Sequence, residues 1–185
     1  MSDSSLPETA TDAVEALLDE VTTESQPQPV LQVDNLSGKV ATVSGGSSGI
    51  GRAVALELAR CGAHIAFCYL DDGGQSRSEA EEVASELRQM EVQVFFRSCD
   101  VRESSDVNSF VSETEEELGG VDVLVNNAGI GRDAPMWLMT DHDWEAVLRT
   151  NLDGAFHFTR AVAPTMRAQE YGKIVNITSV HGMRT

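Results

Sequence analysis

The residues that decide the fold are K-V-A-T-V-S-G-G-S-S-G-I-G-R-A-V-A-L-E-L-A, positions 39–59. Positions 39–44 are short and rich in β-branched residues, which reads as a strand. Ser44 to Gly51 is a glycine- and serine-rich turn, and the run from Arg52 to Ala59 suits a helix. A strand, a tight turn and a helix N-terminus in succession make an anion site. Unpaired backbone N–H groups and the positive helix end both face the ligand. Gly45 is placed to make the turn, while Gly49 and Gly51, with Ile50 between them, allow close approach. Ser47 and Ser48 offer hydroxyls to phosphate or ribose oxygens. The spacing is not G-x-G-x-x-G, and no Gly-Lys-Ser/Thr follows, which argues against a P-loop nucleotidase. Glycines also occur in purely structural turns. The position of this one, opening the first β-α unit, favours nucleotide binding.

Outward from the turn, short apolar runs alternate with helical spacing. Positions 63–69, 92–98, 121–126 and 172–178 read as further strands, near-continuously apolar as in a parallel sheet buried on both faces. Between them Ala80, Val83, Ala84 and Leu87 keep helical spacing, as do Val107, Phe110, Val111 and Leu118. The expected fold is α/β, a doubly wound parallel, Rossmann-like sheet of which these are the first five strands. Such sheets bind ligands beyond the carboxyl ends of their strands. A second helical stripe of Trp144, Val147, Leu148, Leu152, Ala155 and Phe156 is expected on or beside a core face, with polar Asn151 in it. Thr140, with Asp143 three residues on, reads as an N-cap box.

The chain has 30 acids, 13 Lys and Arg and a net charge of −17, which repels nucleic acids and anionic membranes. Eight of the acids fall in residues 1–37, which contain no Lys or Arg. That stretch reads as a solvated, disordered tail, with residues 38–185 as the folded domain; Val14, Leu17, Leu18 and Val21 also have the spacing of a short docking helix. Cys61, Cys68 and Cys99 lack C-x-x-C spacing and read as free, buried thiols. His64, His142 and His157 show no metal spacing, and no metal is expected. No run approaches the ~20 apolar residues of a membrane span, and no secretory signal is recognisable, so a cytoplasmic location is expected.

The turn resembles the T-G-x-x-x-G-x-G of the short-chain dehydrogenases/reductases, with Ser44 in the threonine position. Three further matches follow in the family's order. Cys99-Asp100-Val101 ends the third strand, and the resemblance gives Asp100 to the adenine amino group. Asn126-Asn127-Ala128-Gly129 matches the family's N-N-A-G, which lies along the cofactor. Asn151-Leu152-Asp153-Gly154 resembles N-x-x-G, whose asparagine orders a water in the proton relay. Ser179, just past the fifth strand, resembles the serine that hydrogen-bonds the substrate carbonyl. Positions 38–185 carry the likeness, which is nearest to 3-oxoacyl-(acyl-carrier-protein) reductases. It implies NAD(P), hydride transfer to a small-molecule carbonyl or acyl thioester, and homo-oligomers among full-length relatives.

The family's acid/base tyrosine stands in Y-x-x-x-K, about a dozen residues beyond that serine. Here Tyr69 and Tyr171 are followed four positions on by Gly73 and Val175. A phenol titrating near pH 10 needs a nearby cation to act at neutral pH. His181 reads as a loop histidine. The chain therefore reads as a truncated, inactive enzyme; a non-catalytic nucleotide-binding or interaction module stands as the alternative. A methyltransferase on a similar sheet would leave N-N-A-G and the strand-end serine unexplained. Tyr69-Leu70-Asp71-Asp72 closes the second strand without a base, while Arg52 and Arg77 stand within reach, so NAD and NADP both stay open.

Overall fold

Strict alternation of side chains along each strand builds this molecule's two cores. The computed structural model describes residues 36–179; residues 1–35 and His181 lie outside the described residues. Five strands, β1 (Val40–Ser44), β2 (His64–Tyr69), β3 (Val94–Ser98), β4 (Val123–Asn126) and β5 (Lys173–Asn176), form one parallel sheet in the order β3-β2-β1-β4-β5. Ala41, Val43, Ile65, Phe67, Val123 and Val125 point to one face, and Ala66, Cys68 and Leu124 to the other. Every residue of β1 is buried, as the continuous apolar reading required of a central strand.

Helices cover both faces of the sheet from β3 to β4. Every residue of β5 is exposed, so the fifth strand is not buried on both faces as its apolar run implied. The first core is closed by α1 (Gly49–Arg60) and α2 (Gln75–Arg88). Helix α2 buries Ala80, Val83, Ala84 and Leu87, the four residues its spacing singled out. The second core is closed by α3 (Ser104–Leu118) and α5 (Gly154–Ala168), with α4 (Asp141–Leu148) preceding α5. Helix α3 buries Val107, Phe110 and Val111 as expected, and adds Thr114, whose hydroxyl donates to the Phe110 carbonyl at 2.8 Å. That bond lets a threonine stand in an apolar core. Leu36 also belongs to the fold: it packs against the first core and its N–H donates to the Cys61 carbonyl.

Asn151 and its apolar stripe depart from expectation. Residues Arg149–Asp153 form a π turn between α4 and α5, which breaks the 3.6-residue period carrying the stripe. Helix α5 instead buries Gly154, Phe158, Val162 and Met166, leaving Leu152 and Phe156 62% and 55% exposed. Asn151 is itself exposed rather than buried in a core.

The rings of Phe95, Phe110 and Phe158 pack in series across the second core, tilted and then edge-to-face, with centroids 5.6 and 5.8 Å apart. Phe110 is the shared member and is fully buried. Phe110→Ala is expected to lower unfolding free energy by about 3–5 kcal/mol in chemical denaturation, as deletion of a buried ring does. A loss below about 1 kcal/mol would mean this core is not the organised layer described.

Candidate functional site

Parallel order 3-2-1-4-5 places the reversal of strand order between β1 and β4, and the carboxyl ends of those strands form a cleft. Two turns meet there. The first leaves β1 at Ser44 and enters α1 at Gly49. The second leaves β4 at Asn126 and continues through Asn127 to Gly129. Ser44 joins them: its hydroxyl accepts from the N–H groups of Asn127 and Ala128, both at 3.0 Å. The Asn127 amide nitrogen returns the contact, donating to the carbonyls of Ser44 and Gly45 at 3.0 and 3.1 Å. Gly45 turns the chain with φ +67, in the left-handed region. A Cβ on Gly51 would stand 2.1 Å from the Gly45 carbonyl oxygen and 2.5 Å from the Asn127 amide nitrogen, so only glycine fits. Ser48 occupies the N-cap of α1 in extended conformation, yet its side chain makes no capping hydrogen bond. The first N–H groups of α1 therefore lack the side-chain cap that usually satisfies them, as suits an anion cradle.

A cavity of about 560 Å³ opens above this turn. Gly45, Ser47, Ser48, Ile50, Tyr69, Asp100, Val101, Asn127, Ala128 and Gly129 line it, which brings together nearly all the expected cofactor residues. Gly49 and Gly51 do not line it; they shape the turn beneath. The wall beyond the β2 and β3 ends adds Leu70, Asp72, Ser76, Glu79 and Arg102, and Thr150 comes from the π turn. Hydrogen bonds from the Ser76 N–H and hydroxyl, the former the larger effect, hold the Asp72 carboxyl below its ordinary range. The Arg102 guanidinium does the same for Asp100, against some opposing desolvation. Both acids are thus charged at neutral pH. Cys99 is pushed up, first by its hydrogen bond with Cys68 and then by burial, which makes it an inert thiol rather than a nucleophile.

A second cavity adjoins the first along Asn127, Ala128 and Gly129. Asn151 and Ser179, the two expected catalytic residues, both line it, together with Asn126, Asn176 and Thr159. Asn151 is bonded to backbone at both amide atoms: its Oδ1 accepts from the Ile130 N–H at 2.9 Å and its Nδ2 donates one N–H to the Ile130 carbonyl at 3.0 Å. It ties the π turn to the chain leaving β4. Tyr171 is nowhere near. It sits at the amino ends of the strands, its ring 4.1 Å from the Lys39 ammonium, which also pairs with Asp122 at 2.9 Å.

The short chain dehydrogenase family model matches residues 39–185. This chain belongs to that family. A 3-oxoacyl-(acyl-carrier-protein) reductase of Staphylococcus epidermidis is 39% identical over 144 residues, 78% of this chain and 57% of that protein. A D-beta-hydroxybutyrate dehydrogenase of Cupriavidus necator is 33% identical over 148 residues, covering 80% of this chain and 55% of its own length. Among solved structures, a short-chain alcohol dehydrogenase of Sinorhizobium meliloti matches with TM-score 0.77 and 31% identity, over 83% of this chain and 59% of the other. A xylitol dehydrogenase solved with NAD+ matches at TM-score 0.75 and 35% identity, over 80% and 56%. The chain thus spans a little over half the length of the curated relatives it matches. Its strand order is that of the doubly wound dehydrogenase fold, and no described helix is long and apolar enough to cross a membrane.

Sequence reading missed three contributors. Ser44 entered only as a variant threonine, though it is the bond centre of the cleft. Arg102 and Thr150 left no periodic or motif signal. Gly51→Ala is expected to cost at least ~2 kcal/mol of stability, because backbone must shift to admit the methyl group, and to weaken dinucleotide binding at least tenfold in titration calorimetry. Unchanged affinity and stability would show that the turn does not need this approach.

Proposed function

We propose that this chain binds a nicotinamide dinucleotide, NAD or NADP, in the first cavity, as part of an oxidoreductase acting on a carbonyl or acyl thioester. The observation that carries the reading is the uncapped N-terminus of α1 above a turn in which Gly51 admits no side chain. In this reading Ser47, Ser48 and Ile50 hold the pyrophosphate over the turn that Gly49 and Gly51 shape, Tyr69, Asp100 and Val101 hold the adenosine half, and Asn127 to Gly129 the stretch leading to the second cavity. When bound, the nicotinamide accepts or supplies a hydride. Ser179 hydrogen-bonds the substrate oxygen, and Asn151 steadies the loop and a relay water beside it. Similarity to the Staphylococcus epidermidis reductase and the Cupriavidus necator dehydrogenase supports a 3-oxoacyl- or 3-hydroxyacyl-type substrate. The charge of −17 favours a soluble, cytoplasmic protein without nucleic-acid or membrane partners.

NAD fits the cavity better than NADP. Asp72 and Glu79 line it where a ribose 2′-phosphate would add negative charge. Arg52 and Arg77, the two arginines the sequence put within reach, are engaged with Glu86 and Glu81, and the two that line the cavity, Arg102 and Arg132, lie against Asp100 and Asp143. Neither Tyr69, which is 7% exposed, nor Tyr171, at the amino ends of the strands beside Lys39, is followed four residues on by a lysine. Calorimetry on the purified chain is expected to show NAD bound at least tenfold more tightly than NADP, with no measurable ketone or 3-oxoacyl thioester reduction. Tighter NADP binding would overturn the specificity, and robust turnover would overturn the inactivity. Absence of binding to either dinucleotide would favour an interaction module.

A further inference from the structure

The far wall of the first cavity holds an arrangement that neither the pyrophosphate turn nor hydride transfer explains. Arg102 grips the carboxylate of Asp100, two residues back, with its guanidinium fork. Nε donates to Oδ1 at 2.8 Å and to Oδ2 at 3.1 Å, and Nη2 donates to Oδ2 at 2.6 Å. The Arg102 backbone N–H adds a fourth bond to Oδ1 at 3.0 Å. The Asp100 backbone is fixed as well: its N–H donates to Asp106 Oδ2 at 2.7 Å. Asp106 is in turn held by Arg97 at 2.9 Å, and Arg97 pairs with Glu113 at 3.1 Å. Two ion pairs, joined through the Asp100 backbone N–H, therefore link α3 and the end of β3 to the cavity wall.

Stability does not account for the pair. The Arg102 and Asp100 side chains are 38% and 24% exposed, and ion pairs at that exposure contribute about 0–1 kcal/mol. Fork-to-carboxylate contacts supply direction instead. Both residues line the cavity beside Leu70, Cys99 and Val101, on the side away from the second cavity. A dinucleotide whose pyrophosphate lies on the glycine turn and whose reactive end reaches the second cavity sends its other base to this wall. An ionised carboxylate is an acceptor only, so it favours a base edge bearing an amino group and repels one bearing an oxo group.

We propose that Arg102 is a positioning residue for base recognition, fixing Asp100 as an acceptor edge that selects adenine over a 6-oxo purine. This rests on the dinucleotide reading of the first cavity. Arg102 need not touch the base; it removes the rotamer freedom Asp100 would otherwise lose on binding. Lysine can keep the charge but not the two-point grip.

The test measures NAD and its hypoxanthine analogue, nicotinamide hypoxanthine dinucleotide, binding to the full chain by calorimetry. Wild type, Arg102→Ala and Arg102→Lys are compared, with a thermal melt of each. The wild type is expected to prefer NAD by about tenfold, the value of one charge-assisted hydrogen bond. Arg102→Ala is expected to narrow that preference to about threefold or less with an unchanged melt, and Arg102→Lys to restore part of it. A full preference surviving in Arg102→Ala, or equal weakening of both ligands, would overturn the assignment, because a merely structural role does not discriminate between bases. Equal wild-type binding of both analogues would overturn base selection while sparing the cofactor reading. Binding of neither would overturn both.

Discussion

Four hydrogen bonds between the end of β1 and the end of β4 are the constraint on which the rest of this structure depends. The Ser44 hydroxyl takes two N–H groups, and the Asn127 amide gives two bonds back to the Ser44 and Gly45 carbonyls. They close the point where the strand order reverses, and they leave no volume for a side chain at Gly51. Because the bonds are satisfied within the protein, the turn above them keeps its remaining N–H groups for a ligand. The two cavities meet along the same residues, Asn127 to Gly129, so one lock positions both halves of the site. A buried hydrogen-bonded lock of this sort is costly to half-break, since removing Ser44 or Asn127 strands the other's polar atoms.

Electrostatics then divides the rim by task. Around the glycine turn the cavity offers helix-end N–H groups and hydroxyls but no free base, as suits a pyrophosphate bound by backbone. Toward β2 and β3 it turns acidic with Asp72, Glu79 and Asp100, and hydrogen bonding holds Asp72 and Asp100 ionised. The second cavity is lined by amides and hydroxyls together with exposed Leu152 and Phe156, and among the described residues no charged side chain lines it. These differences arise from which strand end each residue leaves, and so from topology.

Much of this was legible in the sequence because parallel sheets write it plainly. Runs such as V-A-T-V-S leave no doubt about burial, and helix α2 keeps its four core residues at 3.6 spacing. The glycine turn, Asp100, N-N-A-G and Ser179 all fall at strand ends, where the doubly wound arrangement puts chemistry. Thr140 caps α4 as its spacing implied, accepting from the Asp143 N–H at 3.1 Å. What escaped was anything that depends on a change of period or on a local polar bond. The π turn at Arg149–Asp153 inserts an extra residue, so Leu152 and Phe156 face outward although they share a stripe on a regular helix. Thr114 counts as polar until its hydroxyl is seen on the Phe110 carbonyl. Arg102 reads as a surface base, because its grip on Asp100 comes from the turn after β3 rather than from any repeat.

In the proposed function a dinucleotide lies across the β1–β4 lock. Amide spectra of the isotopically labelled chain, titrated with NAD, test it most directly. Saturable shifts are expected for Ser47 to Gly51, for Asp100 to Arg102 and for Asn127 to Gly129, with the amino-end residues Lys39, Asp122 and Tyr171 unmoved. No saturable shifts, or shifts centred on the amino ends of the strands, would contradict it.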